Sequence, residues 1–385
     1  MSQTSELESE LNFEELLKPT GPACLIVTAK LAPIADVDRF QPAGFPEVGH
    51  VIYRAPRKDG RTEDVCIIDS PASMANHLET VCCQSATDPA LHEDLVGLPY
   101  VSCVTDRDDG KRDRVVCTTL TEGHRIASDY FLDGLLEPLV LQPEHKDGKK
   151  KIEAAWEGKR FRTQLREDFG VKEVEKDKRY FLYPDNWWMI YATIFRYDPN
   201  SLLHGVLFAK EQIKISRILT AHLEAIGAAR VGRSGVKFDR LGKTTSGQPI
   251  FSVDEETARE IRATFILDLA LLRSYGRGES GLSATHKRLL LDLAIWKVAR
   301  LLGQPFRYRT QCHLKCESES VSITAGEEAA TKLPTVAMKE SIERCEFKNG
   351  VTSVYYPASK LFKAAVVETT EGTAPEDEGS ESEEE

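Results

Sequence analysis

Three observations predict an α+β fold. Short apolar and β-branched runs stand at 23–31, 65–69 and 306–314, amphipathic stretches start at Pro71 and fill 285–302, and the two kinds alternate irregularly around basic insertions. No internal repeat is visible. The chain has 385 residues, of which 41% are hydrophobic, ample for a packed core and too apolar for a disordered chain.

The elements follow in order. Residues 1–20 form an acidic arm, with Ser5 and Glu8 as a capping box for at most one short helix, and a frayed state is expected. ACLIVTAKL at 23–31 reads as a buried strand. VCIID at 65–69 reads as a second, which runs directly into a helix. Ser70 can cap that helix, Pro71 takes the favoured first position, and no breaker appears until Asp88-Pro89. RVVCTT at 114–119 is a β-branched strand, and HRIASDYFLDGLL at 124–136 has a helical apolar stripe. Residues 142–180 carry twelve bases against nine acids and read as an exposed insertion. NWWMIYATIF at 186–195 has the residue types of a strand. KEQIKISRILTAHLEAIGA at 210–228 spaces its apolar residues as a helix that Gly227 would close. Residues 229–250, rich in Gly and bases, suit a projecting lobe. RATFILDLALL at 262–272 is a strand, THKRLLLDLAIWKVARLL at 285–302 a helix, and FRYRTQCHL at 306–314 and VTSVYY at 351–356 are strands. The body so defined spans 21–367, and 368–385 form an acidic low-complexity tail that cannot bury a core.

The formal charge of -11, from 50 Lys and Arg against 61 Asp and Glu, is unevenly placed. Residues 1–17 hold five acids and 368–385 hold nine, neither with a base, so the body keeps 47 acids against 50 bases. The acidic total therefore does not argue against a polyanionic partner. No secretory leader or membrane-length apolar stretch is present, and nine scattered cysteines suit free thiols, so a soluble cytoplasmic chain without membrane contact is expected.

Several chemistries can be weighed on spacing. Gly276-Arg277-Gly278-Glu279-Ser280-Gly281 is a literal G-x-G-x-x-G between strand and helix, but no acidic residue ends the next strand as a dinucleotide site requires. An arginine-bearing glycine loop instead suits contact with a nucleic-acid backbone through Arg277. Cys312, His313, Cys316 and Cys345 lack the second pair of a zinc site, and no nucleophile elbow, metal-binding helix or P-loop is found, so neither cofactor nor catalysis is expected. The corner IIDSPASMANHLE has more to offer. Ser70, Ser73, Asn76 and His77 fall on one face at a helix start, where free amides favour a phosphate; the same residues also fit a plain cap and a polar face. Lys214 and further bases near element ends could track a strand.

In the order VCIIDSPASMANHLE, HRIASDYFLDGLL, LLHGVLFAKEQIKISRILTAHLEAIGAARVGRSGVKFDRLG, ATFILDLALLRS and FRYRTQCHL, the chain resembles the CRISPR-associated RAMP proteins of the Csb-one family. These are the Cas-seven-type backbone subunits of Cascade in subtype I-U, also called I-G. The resemblance implies an RRM-like (ferredoxin-like) palm with inserted finger and thumb lobes. It implies a non-catalytic subunit whose copies polymerise head-to-tail along a CRISPR RNA, beside other Cascade subunits, and present the spacer to a target DNA strand. Ser70, Ser73, Asn76 and His77 would then hold RNA phosphate, and Arg125, Lys210, Arg217, Arg233, Arg273 and Arg309 match basic positions of the family. The alternative is a RAMP-type endoribonuclease with His124, His77 or Asp239 in acid–base roles.

Overall fold

The computed structural model describes residues 11–34, 37–45, 49–85, 87–107, 110–142, 145–147, 150–152, 155–174, 179–181, 187–234, 253–323, 327–330, 332–348 and 350–361. Its centre is an antiparallel sheet with the strand order Phe306–Arg309, Cys312–Ile323, Cys24–Pro33, Val253–Asp268, Leu219–Ser234, Thr62–Asp69 and Ile52–Pro56. Arg39–Phe40 and Glu327–Ala330 add short partners to Val253–Asp268 and Cys312–Ile323. The main helices are α1 (Phe13–Leu17), α2 (Pro71–Thr80), α3 (Asp129–Leu132), α4 (Phe161–Phe169), α5 (Trp187–Tyr197), α6 (Pro199–His204), α7 (Leu269–Ser274) and α8 (Ala284–Leu302).

Alternation sets the sheet's two faces. Leu25, Val27 and Ala29 are buried against Phe265, Leu267, Leu219 and Leu223, and α8 covers them with Ala294, Ile295 and Val298. The opposite face carries small polar side chains: His222, Thr264, Thr28 and Ser320 stand in one row across four strands. A second sheet has the order Arg114–Thr118, Tyr100–Thr105, Val351–Tyr355, Leu135–Gln142 and Ala155–Arg160, with one parallel pair between Val351–Tyr355 and Tyr100–Thr105.

The α+β class and the strands at Cys24–Pro33, Thr62–Asp69 and Arg114–Thr118 agree with the sequence, as do α2 and α8. Ser283 and His286 make a capping box at the start of α8, and Ser70 caps α2. Four expectations are corrected. The segment expected as a strand at 186–195 is α5; its buried Ile190, Thr193 and Ile194 fall at helical spacing, so packing overrides the β-propensity of its residues. The expected helix at 210–228 is a tight hairpin, Val206–Phe208 with Ile213–Ile215, followed by the long Leu219–Ser234 strand. There Leu219, Ala221, Leu223 and Ala225 are buried while Thr220, His222 and Glu224 are partly exposed, a period of two, and Gly227 lies inside the strand. The expected helix at 124–136 is a single 3-10 turn, then α3, then the Leu135–Gln142 strand. Finally, the expected strand at 262–272 ends at Asp268, whose carboxylate accepts from the Leu271 amide at 2.8 Å and starts α7.

Two charged segments are also less free than their composition suggests. Within 142–180, α4 buries Phe161, Leu165 and Phe169, spaced at four residues. The end of the acidic arm is docked: Leu16 is buried, Arg288 lies 4.2 Å from the centroid of the Phe13 ring, and Arg273 donates to the carbonyls of Leu16, Gly21 and Pro22. Residues 1–10, most of the 229–250 lobe and the 368–385 tail lie outside the described residues. Among the described residues no helix is long and apolar enough to cross a membrane. All nine cysteines are free thiols.

Candidate nucleic-acid interface

The corner after the Thr62–Asp69 strand is organised by a carboxylate. Asp69 is buried and accepts from the Ser70 amide at 2.9 Å, the Ser73 hydroxyl at 3.0 Å and the Arg309 guanidinium at 2.8 Å; His77 Nε2 lies 2.8 Å from its second oxygen. Bonds from His77 and Arg309 hold its carboxyl below the usual range although burial acts the other way. Phe306 and Tyr308 meet the His77 ring edge-on at 5.4 Å. Ser70 Oγ accepts from the Ser73 amide at 3.2 Å, the bond of a plain N-cap.

Ser70, Ser73, His77 and Arg309 are thus brought together, but by Asp69, which the sequence reading had not placed at the centre. Asn76 is exposed and faces a separate pocket of about 310 Å³ with Glu79, Thr80, Cys83, Thr121 and Glu122. Ser70→Asp discriminates between cap and contact. Aspartate caps as well as serine, so thermal stability is expected to stay within about 0.5 kcal/mol, while a phosphate held at this corner would be repelled. Unfolding curves and RNA titrations on the one variant read both outcomes.

Deeper in the molecule lies a network of ionisable groups. Glu79 on α2 receives both guanidinium donors of buried Arg125, at 2.6 and 2.8 Å, and the Asn200 amide at 2.7 Å. Lys297 on α8, fully buried, donates to Asn200 Oδ1 and lies 2.9 Å from His204 Nε2. An ammonium has no acceptor, so His204 Nε2 accepts, its ring proton sits on Nδ1, and Nδ1 has no partner. Burial, then Lys297 and Arg125, push the His204 pKa well below its usual value.

Nearby Asp198 accepts from Ser201 at 2.6 Å, and burial raises its pKa to about 6. These two shifts oppose each other. The depressed His204 contributes stability that is present above pH 6.5 and lost on acidification; the raised Asp198 contributes stability that is present below pH 3.8 and lost as pH rises through about 6. Asp198→Asn removes the second effect. The stability gained between pH 4.5 and 7, read from urea unfolding at both, is expected to grow by about 2 kcal/mol; an unchanged difference would show that Asp198 is ionised throughout.

Above this network opens a cleft of about 870 Å³. The His124–Leu132 segment forms one side and the Val206–Ile215 hairpin the other, with His204, Arg217 and Thr220 between. Lys210 and Lys214 are exposed on the hairpin, Arg217 is half-buried, and none of the three has a hydrogen-bond or ion-pair partner among the described residues. Burial, then Arg125, lowers the Arg217 pKa, so an anion placed there would relieve it. Gly205 makes the close approach possible: its φ is +76°, and a Cβ would stand 2.8 Å from the Ile215 carbonyl oxygen and 3.0 Å from Arg217 Cγ. Arg162, also in the lining, is paired with Asp129 at 2.7 Å.

The remaining predicted residues fall elsewhere. Arg125 lines the cleft but its guanidinium is engaged by Glu79 and by the Gly205 carbonyl at 3.3 Å, so it supports the cleft and its expected phosphate contact is revised to a structural one. Arg273 is likewise revised, its donors being occupied by three carbonyls of the arm. Arg277 is exposed on a hairpin where Gly276 pairs with Gly281; the G-x-G-x-x-G is this turn, and a Cβ at Gly276 would come 2.3 Å from the Leu282 carbonyl oxygen. Arg233 stands opposite Asp254, thirteen positions along its strand from Thr220 and so roughly 40 Å away. Asp239 lies outside the described residues. Cys345 approaches the Thr285 carbonyl on α8, and no group of three metal-ligating side chains occurs among the described residues.

Fold and cleft together define an α+β protein with an anion-receptive basic groove. The chain belongs to the family of CRISPR-associated protein GSU0053 (Cas_GSU0053), which matches residues 25–230. The resemblance to a CRISPR-associated family read from the sequence is therefore correct. Among solved structures, the crystal structure of Thermofilum pendens Csc2 is similar at 11% identity and a TM-score of 0.28, over 89% of this chain and 76% of that one. No curated protein matches the chain.

Proposed function

We propose that the protein is a non-catalytic CRISPR RNA-binding backbone subunit of a subtype I-U (I-G) Cascade complex. In this reading its copies follow one another along the spacer RNA, beside other Cascade subunits, and leave the bases free to pair with target DNA. The observation that carries the reading is the cleft in which Lys210, Lys214 and Arg217 stand without partners among the described residues, in a chain of a CRISPR-associated family. Backbone phosphate is the ligand that such a groove suits, because it gains from unneutralised cations without reading sequence. An RRM-like palm is supported by the order Cys312–Ile323, Cys24–Pro33, Val253–Asp268, Leu219–Ser234, in which α2 precedes the fourth of these strands in the chain and α8 precedes the first.

The test is expression with a CRISPR array followed by sequencing of the RNA that co-purifies. RNA of spacer-plus-repeat length supports the reading; a nucleic-acid-free protein that does not bind single-stranded RNA at low salt overturns it. One observation favours the nuclease alternative: His124 lines the mouth of the cleft, strongly exposed, with its Nδ1 3.3 Å from Glu122. Incubation with labelled repeat RNA separates the two, since cleavage abolished by His124→Ala would mark an endoribonuclease and protection without cleavage a binding subunit.

A further inference from the structure

Residues 368–385 contain nine acids and no base. Several arginines elsewhere on the described surface have local carboxylates: Arg54 pairs with Asp64, Arg57 with Glu63, Arg61 with Asp59 and Arg196 with Asp168. In the cleft, Lys210, Lys214 and Arg217 have none among the described residues. The described chain ends close by. Tyr356 lies against Tyr130, with ring centroids 6.4 Å apart, and Tyr130 is the chain neighbour of Asp129, which lines the cleft. Five residues later the described structure stops at Leu361. Seven further residues reach Glu368, up to about 24 Å, and the eighteen of the acidic segment add up to about 60 Å more.

We propose that residues 368–385 occupy the basic cleft as an internal polyanion, and that RNA binds by displacing them. The proposal rests on the RNA-binding reading for its consequence, though not for the contact itself. Tethering raises the local concentration of the acidic segment to the millimolar range, so even weak carboxylate contacts fill the groove. A long RNA then wins because it presents more charges in register, whereas short or stray polyanions do not. The segment thereby sets a threshold on which nucleic acids are held. Carboxylate contacts across exposed lysines are screened by salt, so the competition weakens as ionic strength rises.

The experiment compares the full chain with a chain ending at Val367 and with a full-length variant carrying Gln for the nine acids. For a 30-nucleotide oligouridine at low salt, both altered chains are expected to bind at least tenfold more tightly, with the advantage fading as salt increases. A synthetic peptide of residues 368–385 should lower the affinity of the truncated chain. Carbodiimide cross-linking of the full chain without RNA gives a readout independent of RNA binding: peptides joining the acidic segment to Lys210 or Lys214 are expected, and added oligouridine should suppress them. Equal affinities in all three chains, or cross-links only to lysines outside the cleft, overturn the proposal. If none of the chains binds RNA, the RNA-binding reading falls, and the cross-link to Lys210 or Lys214 still decides the contact.

Discussion

Replacing Lys210, Lys214 and Arg217 together by glutamine is expected to weaken single-stranded RNA binding about 100-fold at 0.1 M salt. Each phosphate neutralised on a single strand contributes about 0.7 to the slope of log affinity against log salt, so three lost contacts lower the slope by about 2. The fold should survive, because the two lysines are exposed and none of the three makes an internal ion pair among the described residues. Titrations at four salt concentrations measure both affinity and slope. A change below threefold with an unaltered slope would remove the cleft from the RNA path and return attention to the Asp69 corner, or to Arg233 and Arg277.

Glu79→Ala is expected to cost about 3–5 kcal/mol of stability. Among the described residues its carboxylate is the one anionic partner of Arg125, and it also receives the Asn200 amide; both neighbours are buried, so truncation leaves a guanidinium without its counter-charge and an amide without its acceptor. Adding Arg125→Met should recover part of the loss, because a pair removed together leaves no uncompensated charge. Denaturant unfolding of the single and double variants checks both statements. Equal stability of the two would mean that water reaches Arg125 once Glu79 is gone.

The parts of this fold that were legible in the sequence are those fixed locally. Ser70 with Pro71 marks the start of α2 by a side chain that satisfies a nearby amide, and the apolar face of 285–302 marks α8 by its spacing; both helices form there. The misread segments are those where two periods compete. In 219–225, Leu-Thr-Ala-His-Leu-Glu-Ala satisfies strict alternation, yet the neighbouring Ile213 and Ile218 extend an apparent helical stripe across a turn. In 187–197, side-chain type pointed to a strand while burial follows the helical period.

The candidate site was legible only in part, and for a related reason. Family resemblance points to Lys210 and Arg217 and charge to Lys214, but the cleft unites segments 123–132 and 204–220, which sequence proximity does not join. Arg125 looked available because its partner Glu79 lies 46 positions upstream. The signal that marks His204, an Nδ1 without a partner above a buried lysine, exists only after folding.

The strand Val351–Tyr355 lies between Tyr100–Thr105 and Leu135–Gln142, two segments made far earlier in synthesis. It is also tied there by Thr105, whose hydroxyl donates to the Tyr356 carbonyl at 2.7 Å, and by Tyr355, whose hydroxyl donates to Asp106 at 2.9 Å. Until a ribosome has delivered residue 355, the second sheet therefore has a gap in its middle and two unpaired edges. Such edges invite pairing with other chains, and the closure that removes them spans some 250 residues. Completion of this sheet is consequently a late step in biogenesis, and chains released before it are expected to be the ones that proteases and chaperones encounter.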